Sequence, residues 1–270
     1  MAPDRINTSP ATDGSTGSIG SILIVADLHG HAPHLDWVKQ HGPRFDLVAL
    51  PGDFDDASLR LPGAAREAIT SGFLGDLADR VRVAACSGNH DLDATDGDGE
   101  RFADWTRNIA PNVCSDGDLL LTPDVAISSC PWWDGPNGQR RLREQLAGQV
   151  HLVGDRKWLW LHHAPPAGTV TAWDGSTDRG DDVLTELIDE FQPWMVATGH
   201  IHDAPFTRQG GWIDRVGPTW VINPGRQAGM LPSCVEVDTR ADSATWSGDL
   251  AGARRTECVT LGGVDVGRAA

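Results

Sequence analysis

The sequence lacks the features of a membrane protein or a nucleic-acid-binding protein. No uninterrupted apolar run approaches the roughly 20 residues that span a bilayer, which excludes a membrane-spanning protein. Basic residues are also scarce, because 22 Lys and Arg stand against 38 Asp and Glu, giving a net charge of −16. Such a surface repels phosphate backbones and anionic lipids, so we expect no membrane contact and no stable nucleic-acid partner. Any phosphate chemistry here needs a local positive charge, and bound metal is the natural source.

Cysteine is sparse and shows no pattern. The sequence has five cysteines and no C-x-x-C pair, which excludes a disulfide framework and a zinc ribbon. We therefore expect small buried thiols in a reducing compartment. Residues 1–20 are polar and lack the apolar segment of a secretory signal. We expect them to form a flexible leader, with a flexible tail at residues 262–270, and we expect the protein to be cytoplasmic.

Motifs of several common enzyme classes are missing as well. The sequence has no Walker A motif, no G-x-S-x-G elbow and no H-E-x-x-H helix. The acidic stretch from Asp91 to Glu100 fails the EF-hand spacing, so we interpret it as a solvated turn.

Strand-like apolar runs alternate with helix-length segments. Strands are predicted within Ser21–Asp27, Phe45–Asp53, Arg80–Asp91, Leu119–Leu121, Val125–Ser129, Lys157–His163 and Trp194–Thr198. Helices are predicted at Ala32–Gln40, Gly63–Arg80, Glu100–Asn108, Gly138–Gly148 and Asp181–Phe191. Four short antiparallel strands are expected after residue 210. The alternation predicts an α/β fold, as a single domain over residues 21–261.

Chemically informative residues directly follow five of the predicted strands. The strand ends carry Asp27-Leu28-His29, Gly52-Asp53, Gly88-Asn89-His90-Asp91, His162-His163-Ala164-Pro165-Pro166 and Gly199-His200-Ile201-His202. Open α/β sheets bind ligands at the carboxyl ends of their strands, so these side chains are expected to meet. Imidazoles, carboxylates and an amide without sulfur suit hard to borderline divalent metals.

In this order, the five motifs and the following Asn223-Pro224-Gly225 turn resemble the calcineurin-like metallophosphoesterase superfamily, over roughly residues 21–225. The resemblance implies a four-layer αββα sandwich, in which two mixed β-sheets flanked by helices pack face to face. It also implies hydrolysis of a phosphate ester, by in-line attack of a hydroxide shared between two metal ions.

The resemblance also implies which residues hold the metals. Seven positions match: Asp27, His29 and His202 for one metal, Asn89, His163 and His200 for the other, and Asp53 as the bridge. The cofactors would be two divalent transition-metal ions (Mn, Fe, Zn, Ni or Co), with Mn or Fe favoured. His163 is preferred because it stands two residues before a proline, and the adjacent His162 stays the alternative.

The remaining candidates concern substrate and catalysis. His90 would face the phosphoryl group and protonate the leaving oxygen or stabilise charge, with Asp91 orienting its imidazole. Arg226, where a serine is common in the family, is a candidate fork for the substrate phosphate. Trp132 and Trp133 are either core residues or a stacking wall for a planar leaving group. Four further histidines are expected to be solvated: His31, His34, His41 and His151.

The substrate class favoured by the sequence is a small anionic phosphodiester, including a nucleotide diester. The alternatives are a phosphomonoesterase acting on nucleotides or phosphoproteins, and a non-catalytic scaffold of the same fold. A scaffold would be expected to lose metal ligands or the motif histidine, whereas every one of them is present here.

Overall fold

The computed structural model describes residues 6–7, 17–55, 63–250 and 252–262. Its α-helices are α1 (Ala32–His41), α2 (Gly63–Ala78), α3 (Pro136–Val153) and α4 (Asp182–Phe191). Short 3₁₀ helices lie at Gly42–Arg44, Asp104–Asn108, Val170–Ala172 and Ala204–Phe206. The strands are β1 (Ile6–Asn7), β2 (Ser21–Ile24), β3 (Leu47–Pro51), β4 (Arg82–Cys86), β5 (Ala94–Thr95), β6 (Arg101–Phe102), β7 (Val113–Cys114), β8 (Leu119–Leu121), β9 (Val125–Ser129), β10 (Lys157–Leu161), β11 (Met195–Ala197), β12 (Ile213–Val216), β13 (Thr219–Ile222), β14 (Cys234–Asp238), β15 (Ser243–Leu250) and β16 (Ala253–Thr260).

Two seven-stranded sheets form the centre of the fold. One has the order β1-β8-β9-β10-β11-β13-β12 and the other the order β16-β15-β14-β2-β3-β4-β7. In the first sheet the parallel run from β9 to β13 has an antiparallel strand on each side, β8 and β12. In the second sheet the parallel run from β2 to β7 has antiparallel strands on one side only, beginning with β14, so both sheets are mixed. A separate two-stranded ribbon joins β5 and β6.

Alternate residues of the inner strands are buried on opposite faces of each sheet. In β2, Ile22 packs between the sheets while Leu23 packs in the cluster that includes α1 and α2. In β10, Leu159 packs between the sheets while Trp160 packs against α3 and α4. Strands buried on both faces are expected to be continuous apolar runs, which is the pattern these segments show. The helices thus cover both outer faces, and the expected αββα sandwich is confirmed.

Two segments differ from the sequence-based expectation. The helix predicted at Glu100–Asn108 is wrong in its first half, because Arg101–Phe102 pairs with Ala94–Thr95 in the β5–β6 ribbon. Glu100 is used elsewhere, since its carboxylate accepts the backbone N–H groups of Asn137 and Gly138 and caps the start of α3. Strand β13, expected to pair only in antiparallel fashion, also runs parallel to β11.

Most of the leader and tail predicted at residues 1–20 and 262–270 lies outside the described residues. Within the described part, Ile6–Asn7 pairs in parallel with Leu119–Leu120, and Ile19 is fully buried, so ordered structure begins before residue 21. The free thiols of this part are buried with the exception of Cys258, which is exposed. No helix in the described ranges combines the length and apolar character that crossing a membrane requires.

The motif-bearing loops leave the carboxyl ends of β2, β3, β4, β10 and β11. Neighbouring parallel strands bring the first three ends together in one sheet and the other two together in the second sheet. A hydrogen bond links the two sets, because the Nδ1 of His163 lies 2.8 Å from the carbonyl oxygen of Pro51. The five loops therefore meet at one edge of the sandwich.

Candidate metal centre

Four of the predicted ligand residues have left-handed backbone conformations. The φ angles are 55° at Asp27, 45° at His29, 55° at Asp53 and 67° at His200. Residues other than glycine rarely adopt such angles, and each costs on the order of 1–3 kcal/mol unless the surroundings hold it. At these positions the chain turns abruptly out of a strand, so the side chains leave the sheet and point into the space between the loops.

The motif glycines allow the ligand side chains to approach the backbone closely. A Cβ atom on Gly52 would lie less than 3 Å from the ring of His163, and one on Gly199 would lie equally close to the carboxylate of Asp27. Gly88 has the same relation to the carboxylate of Asp53. Any larger residue at these three positions would displace a ligand, which explains why glycine precedes Asp53, Asn89 and His200.

Two groups of ligand atoms are brought together by the loops. The first consists of Asp27, His29, Asp53 and His202, whose candidate ligand atoms all lie within 4.8 Å of one another. Within it, the Nε2 atoms of His29 and His202 are 3.3 Å apart, and the Nε2 of His202 is 3.2 Å from Oδ1 of Asp27. These atoms point at a common position, as the ligands of one cation would.

The second group consists of Asp53, His163 and His200. The Nε2 of His163 lies 3.1 Å from Oδ2 of Asp53, and the same oxygen is 3.6 Å from the Nε2 of His29 in the first group. One oxygen of Asp53 thus faces histidines of both groups. The remaining predicted ligand, Asn89, follows β4, and its side-chain Oδ1 is buried and has no hydrogen-bond partner.

These residues fit a pair of divalent cations. The Nδ1 of His29 lies 3.1 Å from the carbonyl oxygen of Asp55, just as that of His163 faces Pro51. Carbonyl contacts of this kind fix the proton on Nδ1 and direct the Nε2 lone pair into the centre, as in metal-ligating histidines generally. The unpartnered Oδ1 of Asn89 is explained in the same way, since a buried carbonyl oxygen without a donor is costly unless a cation binds it.

Burial and charge shift the pKa values of these groups strongly. Burial lowers the pKa of His163, but the charge of Asp53 and its hydrogen bond outweigh that and raise the pKa to about 9. Burial likewise raises the pKa of Asp53, yet His163 holds it well below its usual range. Burial, followed by His163, lowers the pKa of His200 to about 4, and burial also lowers the pKa of His29. His29 and His200 are therefore neutral imidazoles beside an ionised Asp53, whereas His163 holds a proton that a bound cation would displace.

The structure places the two adjacent histidines, which directly follow β10, on opposite sides of the chain. His163 enters the second ligand group, whereas the Nδ1 of His162 faces the carbonyl oxygen of Ala164 at 3.0 Å. The ring of His162 packs against that of Trp133, with their centroids 4.3 Å apart. His163 is therefore the residue positioned to ligate.

Replacing His163 with glutamine should lower metal affinity far more than replacing His162 does. Loss of a ligand should exceed the roughly 10–100-fold that losing an outer-shell partner costs, while His162 contributes no ligand atom. Titration of metal into chelator-stripped protein measures the difference. The reverse order of affinities would show that His162 is the ligand.

Asp91 does not orient the His90 imidazole as expected from the sequence. It is buried, and its carboxylate accepts the backbone N–H groups of Asp53, Phe54, Asp55 and Gly88 at 2.8–2.9 Å. Burial and then the neighbouring Asp53 raise the pKa of Asp91, while the hydrogen bonds from Gly88 and Asp55 and the charge of His163 favour its ionised form. His90 stands apart at the solvent edge, with its Nε2 4.0 Å from Oδ2 of Asp53.

The two tryptophans have different roles. Trp133 is buried among the side chains packed on α3 and α4, and its indole N–H donates to Asp181, so its predicted place in a substrate wall is wrong. Trp132 is half-buried beside the ligands, with its ring centroid 5.3 Å from that of His200. Arg226 also lies at the centre, where its Nε donates to the backbone carbonyl of Asp27 at 2.9 Å.

One histidine expected to be solvated is buried. His34 is only 2% exposed, and its ring lies 4.2 Å from that of His31. Burial, and then the charge of His31, lower the pKa of His34 to about 4. The helical spacing of α1 places this position on the inner face, beside Val38 four residues later.

The stability of the metal-free protein should therefore depend on His34 between pH 6.5 and 4. In the unfolded chain His34 is protonated below pH 6.5, whereas in the folded protein it is protonated only below about pH 4, so the free energy of unfolding falls as the pH falls. Between pH 6.5 and pH 4, the free energy of unfolding should fall by about 2 kcal/mol less in His34→Gln than in the wild type. Urea unfolding at both pH values measures this difference. Exposed His151 provides the control, and an equal effect of His151→Gln would contradict the prediction.

Sequence reasoning noted the turn at Asn223 but missed what its side chain does. The buried amide of Asn223 donates to the carbonyl oxygens of Thr171, Gly199 and Ile201 and accepts the N–H of Gly225. It therefore holds the loop that carries His200 and His202 (ligands of both groups). The Asn-Pro-Gly pattern was the available signal, but it does not reveal these distant partners.

Comparison with two solved structures, those with TM-scores of 0.59 and 0.50, supports the fold. The chain resembles the TT1561 protein of Thermus thermophilus, with 16% identity and a TM-score of 0.59, over 90% of this chain and 100% of that one. It also resembles a provisionally assigned 5′-nucleotidase of Staphylococcus aureus, with 14% identity and a TM-score of 0.50, over 80% of this chain and 50% of that one. The phosphoesterase Yfce of E. coli aligns over 90% of this chain and 100% of its own, at 13% identity and a TM-score of 0.42.

The sequence itself decides the family. A search of curated proteins found no match to this sequence. Residues 20–204, more than half of the chain, match the calcineurin-like phosphoesterase family. That range includes both groups of candidate metal ligands, and the observed layers are those that the resemblance implied. The chain therefore belongs to the calcineurin-like phosphoesterase family.

Proposed function

We propose that this protein hydrolyses a small anionic phosphodiester with two divalent transition-metal ions, Mn or Fe being favoured. The observation that carries the proposal is the position of Asp53, which belongs to both groups of candidate ligand atoms. A carboxylate shared by two sites is what a dinuclear centre needs. Asp27, His29 and His202 would hold one ion, and Asn89, His163 and His200 the other.

When bound, the two ions would supply an activated water and withdraw charge from the phosphoryl oxygens. The protein supplies the remaining functions. His90 has a side chain that is 42% exposed at the rim of the centre, where it can reach a bound ester and give a proton to the leaving oxygen. Its backbone N–H donates to Oδ1 of Asp53 at 2.9 Å, so its position is tied to that of the shared carboxylate.

Arg226 and Trp132 are proposed to bind the substrate. The guanidinium of Arg226 donates from its Nε to the backbone carbonyl of Asp27, a residue of the first group, at 2.9 Å. A guanidinium there can pair with a phosphoryl oxygen. The half-buried ring of Trp132 flanks the second group and offers a face for a nucleobase or another planar leaving group.

A phosphomonoesterase is the second candidate. The observation that favours it is also Arg226, because an additional cation beside the ligands suits a dianionic phosphate better than a monoanionic diester. The acidic protein, at −16, makes long nucleic acids poor substrates in either case. We keep a cytoplasmic location as a prediction.

The test is a panel of phosphodiesters and phosphomonoesters, assayed with Mn, Fe, Zn, Ni and Co after chelation. We expect metal-dependent hydrolysis with the diesters preferred. Trp132→Ala should raise KM for a nucleoside diester and leave KM unchanged for a methyl diester, which serves as the control. Preference for monoesters would favour the second candidate. Metal binding without hydrolysis of any substrate would favour a non-catalytic scaffold.

A further inference from the structure

Two ligand-bearing loops are joined by an exchange of carboxylates. The loop after β3 carries Asp53, and the loop after β4 carries Asn89. Asp53 accepts the backbone N–H of His90 in the second loop at 2.9 Å. In return, Asp91 of the second loop accepts the backbone N–H groups of Asp53, Phe54 and Asp55 in the first loop, at 2.8–2.9 Å. Each loop thus binds the other through one buried side chain.

Strand pairing provides no acceptors for these N–H groups of the loop after β3. Strand β3 ends at Pro51, and the turn that follows has left-handed angles of 82° at Gly52 and 55° at Asp53. Successive N–H groups in such a turn point to the same side and form a site for an anion. Asp91 fills this site from within the chain, and its Oδ2 also accepts the N–H of Gly88 at 2.8 Å. Two carboxylate oxygens have enough lone pairs for these four donors, whereas an asparagine amide has one suitable oxygen.

A buried tryptophan holds the backbone of Asp91 in place. The indole N–H of Trp105 donates to the backbone carbonyl of Asp91 at 2.8 Å, and the rings of Trp105 and Phe54 meet edge to face at 6.0 Å. Trp105 belongs to the short 3₁₀ helix at Asp104–Asn108 and is buried. The carboxylate is therefore held on a packed support and not on a free loop.

We propose that Asp91 is a positioning residue for the metal centre, which sets the distance between Asp53 and Asn89 through the backbone of their two loops. The inference rests on the proposed function, because it takes these residues as metal ligands. Asp91 would therefore position the metal ligands and would not orient the imidazole of His90. Loss of the carboxylate should separate the loops and weaken metal binding, while saturating metal should restore much of the turnover.

The test compares Mn²⁺ binding by the full-length wild type, Asp91→Asn and Asp46→Asn, each stripped by chelation and titrated calorimetrically. Asp46 is a matched control, because its Oδ2 accepts the backbone N–H groups of Gly20 and Ser21 at the opposite end of the same strands. We expect Asp91→Asn to bind Mn²⁺ about 10–100-fold more weakly, the usual cost of losing an outer-shell partner. Asp46→Asn should lose stability but bind like the wild type.

Trp105→Phe provides a milder variant, which keeps the carboxylate and an aromatic ring but removes the indole donor. It should weaken Mn²⁺ binding several-fold, so the inference can be tested if Asp91→Asn does not fold. Wild-type binding by both variants would overturn the inference alone, as would an equal loss in Asp46→Asn. If Asp91→Asn binds Mn²⁺ like the wild type but loses turnover to an extent that depends on the leaving group, Asp91 acts through His90 and the inference is overturned. A wild type that binds no Mn²⁺ would overturn the proposed function and this inference together.

Discussion

Asp53→Ala should leave the protein without either metal ion. The side chain belongs to both ligand groups, and its Oδ2 lies 3.1 Å from the Nε2 of His163 and 3.6 Å from that of His29. Removing it deletes a ligand from each site and also leaves two histidines without their shared counter-charge. We expect metal content to fall from two ions per chain to near zero, with affinity reduced more than about 100-fold at both sites. Activity should disappear with the metals.

Elemental analysis after dialysis against metal provides the measurement. Asp46→Ala is the control, because it removes a carboxylate of the same sheet that bonds to Gly20 and Ser21 at the other end of the strands. Asp53→Ala also leaves the N–H of His90 unpaired, at about 1–3 kcal/mol, so unfolding curves must show that the variant is folded. One retained equivalent of metal would mean that Asp53 serves a single site. Two would contradict the ligand assignment.

His90→Ala should separate catalysis from metal binding. The contact between His90 and Asp53 runs through the backbone N–H, which alanine retains, so the ligands should stay in place. Only the imidazole at the solvent edge is lost. A proton donor to the leaving group is worth about 10²–10⁴-fold in rate, and we expect kcat to fall by that amount while metal content and KM change little.

The size of this loss should depend on the leaving group. A nitrophenolate leaves with little help from a proton, so its hydrolysis should fall least, whereas a ribose alkoxide needs the proton and should be affected most. Comparing kcat across esters of different leaving-group pKa, with equal metal content, provides the test. A uniform loss would show that His90 stabilises charge on the phosphoryl oxygens and does not donate the proton.

The ligand set could be predicted from the sequence because its residue types are local to each strand end. Asp27-x-His29 and His200-x-His202 each place two ligands on one short segment, and glycine precedes Asp53, Asn89 and His200. The order of the motifs carried the resemblance to the family. The distinction between His162 and His163 followed from the spacing to proline, because successive residues of the extended chain after β10 point to opposite sides.

The partners of Asp91 could not be predicted in the same way. Its hydrogen bonds reach Asp53 and Phe54, which are 38 and 37 residues away, and nothing near Asp91 distinguishes that role from orienting the adjacent His90. Trp133 had the same ambiguity beside Trp132, as both follow one strand end. Which of the two rings enters the core depended on the helices packed behind it.

The sequence by itself therefore determined the alternating strands and helices, the family and the identity of the candidate ligands. These depend on residue type and short spacing, which the chain encodes locally. Only the tertiary structure decided that Asp91 joins two loops, that Trp133 enters the core and that His34 is buried. Each of these depends on contacts between segments distant in the sequence, and a side chain's partners are set by the packing of the two sheets and their helices.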